Sequence, residues 1–535
     1  MRETVSSPPD LAAFFREAPD IVGPGHCLDD AATLGPLAEN TLGLHRPLAA
    51  AVFPATAEEV AALVRLARAT GTPLYPVSRG RNVGYGDKSP VLPGQVLLDL
   101  SRMRAIRDYD PALGTVVVEA GVSQQDLYDF LVREQAPYWM DATGAGREAS
   151  IVGNALEGGF GHTPLGNHRE EFTDAEVVLG NGDRIRTGLF PGFGPDIKGL
   201  FVQSNFGVVT AVRIPLLPKP ERFESFVLRC DAPDGLGPMI EILRRLRQEG
   251  VVRSCVHVAN PVRYLMSSRL CPPEFRDRVV GDLDAMRIMS SRLLPVGFWN
   301  AAGGLYGLKP VVAAHGKRLK EAFRGVATVR RFSDARLSLL DRAMAGLGEL
   351  GLSGAEKIRE SLESFGHIHR LMQGVPSDEA YRNILWRVAR PEDLGLIWFA
   401  PTVPATGTAA ERLAAVAGPL FAAHGFEMPL TLTLVTAERL VGILNIVFDR
   451  RDEAEKARAH ALYQALHAAF AASAIPTYRS SILGMDGLRH PDPAMGRTLS
   501  RIKSVLDPAD ILSRGRYGIG LPGEGDERVG RSNPG

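Results

Sequence analysis

Apolar residues recur at helical spacing at Val60, Leu63, Val64 and Ala67, which puts one buried face on a helix. Thr56 and Glu59 form a capping box at its start, and Gly71 closes it. The short run Pro73-Leu74-Tyr75 then reads as a strand, as do Val96–Leu100 and Thr115–Ala120. Ser123 caps a second helix, with Leu127 and Phe130 on its apolar face. Asp174–Leu179, an Asn181-Gly182 turn and Arg184–Thr187 read as a hairpin, and Val208–Leu216 as a further strand. Short strands and glycine turns with few helices predict an α+β domain wrapped round an extended ligand, not a doubly wound sheet. No GxGxxG opens a helix at the place a dinucleotide fold requires.

The first fifty residues are irregular. Asp10–Ala18 is expected as a short helix, followed by an arm laid over the surface. Pro218 and Pro220 mark a change of composition, and Phe226–Cys230 begins a second domain. Helices are expected at Met239–Gln248, Lys317–Phe323 and Asp452–Ala472. Val251–Ala259, Leu394–Phe399, Leu430–Val435 and Ile443–Phe448 read as strands of an antiparallel sheet. From Met485 the chain is expected to return to the first domain. The division is therefore 1–222 with 485–520, a cap over 223–484, and a disordered tail over 521–535, which is rich in Gly, Pro and charge.

The balance of charge narrows the partners. Lys+Arg and Asp+Glu both number 61, which excludes the basic surplus of a bulk nucleic-acid binder. The cysteines Cys27, Cys230, Cys255 and Cys271 form no CxxC pair, so neither a zinc site nor a disulfide framework is expected. No run of about 18 apolar residues suggests a membrane span, and the start lacks a secretory h-region, so a cytoplasmic home is expected.

The stretch Pro76–Gly86 carries Gly80, Gly84 and Gly86, with Ser78, Arg79, Arg81 and Asn82 between them. Successive N–H groups in such a loop make a concavity for an anion, and glycine lets a ligand approach the backbone. Gly144–Gly161 is a second glycine-rich segment and Gly207 begins a third. Three such segments in one half of the chain suit one long ligand with a diphosphate. Each glycine taken singly is equally a turn residue.

Pro76–Gly86 with Leu92–Met103 resembles the FAD-binding segment of the vanillyl-alcohol oxidase and p-cresol methylhydroxylase family. Ser150–Asn154, Gly159–Pro164, Glu176–Asp183, Gly199–Thr210, Ile397–Pro401 and Pro476–Arg479 are further matches, in family order, from about Val52 to Gly518. The resemblance implies a two-domain FAD-binding fold with an antiparallel-sheet cap. It implies FAD near Ser78, Gly80, Arg81, Asn82, Gly84, Gly153, Asn154, Gly207 and Val209. It also implies a phenol-gripping set of Tyr85, Tyr478, Arg479 and Arg516, with a hydride leaving the para benzylic carbon to give a p-quinone methide. A small aromatic substrate, oxygen or an electron-transfer protein as acceptor, and a homodimer or larger assembly follow from the same resemblance.

Two departures qualify it. Members with covalent flavin carry a histidine where this chain has Leu396, and the other attachment site falls near Asn82. Non-covalent FAD is therefore expected, with Tyr381 as the nearest alternative nucleophile. The family's acidic residue in a Thr-Pro-Tyr-Gly-Asp pattern is Asn167 here, and a histidine pair is replaced by Val441-Gly442. Asparagine takes no proton, so His162 or His168 becomes the candidate base; each is equally a core or surface histidine. Trp398 shares a strand face with Leu396 and is expected to line the substrate cavity; core packing is the alternative. Two other functions stay open: oxidation of a non-phenolic alcohol or natural-product intermediate, and a flavin-retaining binding protein with little catalysis.

Overall fold

Thr56 accepts a hydrogen bond from the Glu59 N–H at 3.1 Å and opens the helix Ala57–Thr70, whose buried face is Val60, Leu63, Val64 and Ala67. The computed structural model describes residues 9–188, 194–289, 295–349, 363, 365–379, 383–485 and 487–520. The tail expected over 521–535 and Tyr381 lie outside the described residues.

The helix leads into a four-stranded sheet in the order Cys27–Leu28, Ala50–Val52, Val96–Asp99, Leu74–Val77. The last three strands run parallel, so the glycine loop leaves the sheet at the end of a strand buried beside Val96–Asp99. The C-terminal segment returns here. Leu74 N–H donates to Ile511 O at 2.7 Å, and Ser513 N–H donates to Leu74 O at 2.8 Å. The return is anchored by the fully buried Lys503. Its Nζ donates to Asn205 O, Leu512 O and the Asp507 carboxylate at 2.8, 2.9 and 2.6 Å. A second, antiparallel sheet runs in the order Ile106–Asp110, Thr115–Glu119, Gly207–Pro215, Asp174–Leu179, Arg184–Arg186.

The third sheet has eight strands, all antiparallel: Thr328–Phe332, Arg222–Cys230, Trp299–Gly307, Val256–Ala259, Leu430–Leu434, Arg439–Asp449, Leu394–Pro404 and Thr477–Arg479. The helices Leu236–Gln248, Gly407–Ala423 and Glu453–Ala472 share one core with one face of it. The other face turns toward the glycine segments. The architecture is α+β with antiparallel sheets. Among the described residues no helix is long and apolar enough to cross a membrane.

Several local expectations change. The first helix runs Leu11–Val22, past its expected end at Ala18, with Phe14, Ala18 and Val22 buried, and most positions from 23 to 47 after it are exposed or half-buried. Pro19 forgoes only one bond near the helix end, so the helix passes through it. The strand expected from Val251 begins at Val256, because the preceding stretch is a turn whose Ser254 carbonyl accepts from Arg247. The helix expected at Lys317–Phe323 is the second half of Lys309–Ala322. Trp299–Gly307 gave no strand signal. A Cβ on its Gly303 would lie 2.5 Å from the Phe226 ring, so a neighbouring strand's aromatic requires the glycine that hides the strand.

Candidate active site

The loop after Leu74–Val77 holds Gly80, Gly84 and Gly86 at φ +66°, +75° and +129°, where side chains are strained. Among the described residues the N–H groups of Arg79, Gly80, Arg81, Asn82 and Val83 have no partner, whereas Gly84 N–H donates to Thr41 Oγ1 at 2.8 Å. Five successive free donors form a nest for an anion of diphosphate size. A cleft of about 430 Å³ runs along the loop, lined by Arg79, Gly80, Arg81, Asp87, Lys88 and Arg450. Arg81 is exposed, while Arg79 donates to Gly121 O at 3.0 Å and pairs with Glu148. Ser78 faces the helix Ile151–Leu156, where a Cβ on Gly153 would come within 3.1 Å of its hydroxyl. Val209 is buried in its strand. A Cβ on Gly207 would meet the Val177 side chain at 2.6 Å, so packing alone demands that glycine.

Tyr85, Tyr478, Arg479 and Arg516 come together at the end of this loop. The short strand Thr477–Arg479 pairs with Ala400 and Pro401 and carries Tyr478 and Arg479 inward. The Arg479 guanidinium lies 4.1 Å from the Tyr85 ring centroid and donates to Asn82 Oδ1. Burial first, and then the Tyr478 hydroxyl beside it, hold the Tyr85 phenol well above its ordinary pKa, with Arg479 opposing in part. Tyr85 therefore stays protonated and can donate.

The carboxylate that organises these cations is Glu157, which sequence reasoning missed. It lies 3.2 Å from Arg479 Nε, pairs with Arg516, and accepts from the Tyr517 hydroxyl at 2.6 Å. Gln203 Nε2 donates to Glu157 O and Tyr478 O at 3.2 and 2.7 Å, fixing both backbones. Arg516 also donates to the Tyr75 hydroxyl at 3.2 Å. Two guanidiniums against one carboxylate leave one positive charge unbalanced. Among the described residues no other carboxylate pairs with either arginine. The only sequence trace of Glu157 is that it is one of two acids, with Glu148, in the glycine-rich segment Gly144–Gly161.

Away from the clamp, Asp141 is buried and accepts from the His162 and Thr163 N–H groups at 3.0 and 2.8 Å. Burial opposes its ionisation, but His168 and these donors hold it below the usual carboxylate range. Both ring nitrogens of His168 are occupied, by Asn154 Oδ1 at 2.6 Å and Asp141 Oδ2 at 2.7 Å. His162 donates from Nδ1 to Ala142 O at 2.9 Å, which leaves its Nε2 an acceptor, and burial lowers its pKa. Its ring lies 4.7 Å from that of His257. Asn167 occupies the N-cap position of the short helix His168–Glu171 without a side-chain cap bond, and its buried Oδ1 has no partner among the described residues. Trp398 packs on Gly84, where a Cβ would lie 1.9 Å from its ring, and shares a cluster with Val83 and Leu396. Leu396 is fully buried. Among the described residues no group of three or more His, Cys, Asp or Glu is placed to hold a metal.

A family model described as an FAD binding domain matches residues 47–188. The chain is 29% identical to 1'-carboxy-chondrochloren decarboxylase of Chondromyces crocatus, over 94% of this chain and 96% of that one. It is 28% identical to the 4-cresol dehydrogenase [hydroxylating] flavoprotein subunit of Pseudomonas putida, over 89% of each. The solved structure of p-cresol methylhydroxylase with substrate bound superposes with a TM-score of 0.85 at 26% identity, covering 95% of this chain and 97% of that one. The free donors of the glycine loop fit the diphosphate of FAD, the cofactor that the matched domain is described as binding. In sequence and fold the chain is similar to the vanillyl-alcohol oxidase and p-cresol methylhydroxylase family, and it is an FAD-dependent oxidoreductase.

Proposed function

We propose that the protein oxidises para-substituted phenols at the benzylic carbon. The observation that carries this reading is the unbalanced positive charge of Arg479 and Arg516 over Glu157, set between the hydroxyls of Tyr85 and Tyr478. A phenol titrates near pH ~10 in water. Two hydroxyl donors and a net positive site favour its anion and lower that value. The phenolate then pushes electrons through the ring, so that the para benzylic carbon gives up a hydride and becomes a p-quinone methide. FAD supplies the two-electron acceptor for that hydride. Arg479 and Tyr478 hold the negative oxygen, Tyr85 keeps its proton and donates, and Trp398 closes the cavity against Gly84. His162 Nε2 is the neutral acceptor closest in kind to a base, because both nitrogens of His168 are taken.

The reading extends to residues 1–222 with 485–520 as the FAD domain, 223–484 as the cap, and FAD held without a covalent bond. Leu396 and Asn82 support the last point, since neither offers a nucleophile. Oxygen or an electron-transfer protein takes the electrons onward. A second reading draws on the Chondromyces crocatus relative, named a decarboxylase. After hydride loss, the bond from the next carbon to a carboxylate can break. Its electron pair forms an alkene, the ring regains its phenolate, and CO2 leaves.

Anaerobic flavin reduction tests the main reading. 4-Ethylphenol should reduce the flavin about a hundredfold faster than its O-methyl ether, which forms no phenolate. Equal rates would overturn the proposal, and CO2 release from 3-(4-hydroxyphenyl)propanoate separates the second reading.

A further inference from the structure

Arg263 is a half-buried cation of the cap that has no acidic partner among the described residues. It sits on the helix Pro261–Ser268, and its one side-chain hydrogen bond is from Nε to Thr431 Oγ1, at 3.2 Å. Burial lowers its pKa to about 10, and no carboxylate offsets that among the described residues. The side chain is only half covered, and its terminal nitrogens are not sealed in, as expected of a group lining a void.

The groups around it point the same way. His257 bonds Thr433 Oγ1 through Nδ1 at 3.0 Å, and its buried Nε2 has no partner among the described residues. Thr431 and Thr433 lie on one face of their strand. Thr433 pairs with His257 across the sheet, and Thr431 with Ile443. Asn445, two residues beyond Ile443, has both amide atoms buried and unpaired. The same face reaches the clamp: His257 lies 6.4 Å from the Phe160 ring, and Phe160 lies 5.9 Å from Tyr478. A buried charge without a countercharge is costly, so its partner is expected to arrive with a ligand. Guanidinium geometry suits a carboxylate.

We propose that the substrate carries a carboxylate on its para substituent, and that this group docks on Arg263 beside His257. The proposal rests on the phenol reading for the position of the other end of the substrate.

The test uses FAD-loaded protein and phenols that lack a benzylic hydride, with binding read from the flavin absorbance. 4-Hydroxyphenoxyacetate should bind about ten- to a hundredfold more tightly than 4-propoxyphenol, the gain of a charge-assisted hydrogen bond. Arg263→Met should erase that ratio and leave 4-propoxyphenol within about threefold of wild type, while Arg263→Lys should keep part of it. Where Arg263→Met does not fold, Arg263→Gln takes its place. Equal affinities in the wild type, or a ratio unchanged by removing the guanidinium, would overturn the proposal. Phenoxyacetate separates the two readings. If it binds as tightly as its 4-hydroxy derivative and still depends on Arg263, the phenol reading fails and the carboxylate site stands.

Discussion

Arg479→Ala removes the guanidinium that lies 4.1 Å over the Tyr85 ring and 3.2 Å from Glu157. In the intact site two arginines face one carboxylate, a net charge of one. In the variant Arg516 and Glu157 cancel, so a phenolate would enter a neutral site. A hydrogen bond to a charged group contributes about 1.5–3 kcal/mol, and the fall in transition-state stabilisation should be about tenfold to somewhat over a hundredfold. Anaerobic stopped-flow, following loss of oxidised-flavin absorbance with 4-ethylphenol, reads it directly. The pH profile identifies the cause. Near pH ~10 the phenol ionises unaided, so the share of the deficit due to ionisation should be recovered there. A pocket that is merely distorted would stay slow at every pH. Arg479→Lys should restore part of the rate, because it keeps the charge and loses the fork. A rate for Arg479→Ala within about threefold of wild type at neutral pH, or a deficit independent of pH, would refute the reasoning.

Three other outcomes follow from the geometry. Lys503→Met leaves the buried Asp507 carboxylate without its cation and two carbonyl acceptors without their donor; it should cost about 3–5 kcal/mol, seen as a fall in the thermal midpoint. Gly84→Ala puts a Cβ 1.9 Å from Trp398 at φ +75°; it should cost about 1–3 kcal/mol of strain and slow flavin reduction, and a wild-type rate would show that Trp398 does not shape the cavity. Acid precipitation should release yellow flavin into the supernatant, and flavin retained in the pellet would show a covalent bond.

What was legible in the sequence is what is decided locally. Gly80, Gly84 and Gly86 announce the loop because their φ angles exclude other residues. Capping and helical spacing announce Ala57–Thr70 within fifteen residues of chain. Strands of the large sheet were read at their apolar centres and lost at their ends. Trp299–Gly307 was lost entirely, because its Gly303 answers to Phe226 on the next strand. The charge balance of the site was not legible for a related reason. Glu157 acquires its meaning from a tyrosine 360 residues away and from Arg479, and nothing beside it in the chain marks it. Arg263 is the extreme case, since what sets it apart is the absence of an acidic partner among the described residues, which only the fold can show. The local motifs are thus the ones that carry the family resemblance. The residues that set the charge of the clamp are those whose partners lie far along the chain. Asn167 makes the same point from the other side. Read alone it is a lost acid, but in the fold a different buried carboxylate, Glu157, sits between the two arginines. The electrostatics of the clamp therefore have to be counted from the assembled site, not from the motif.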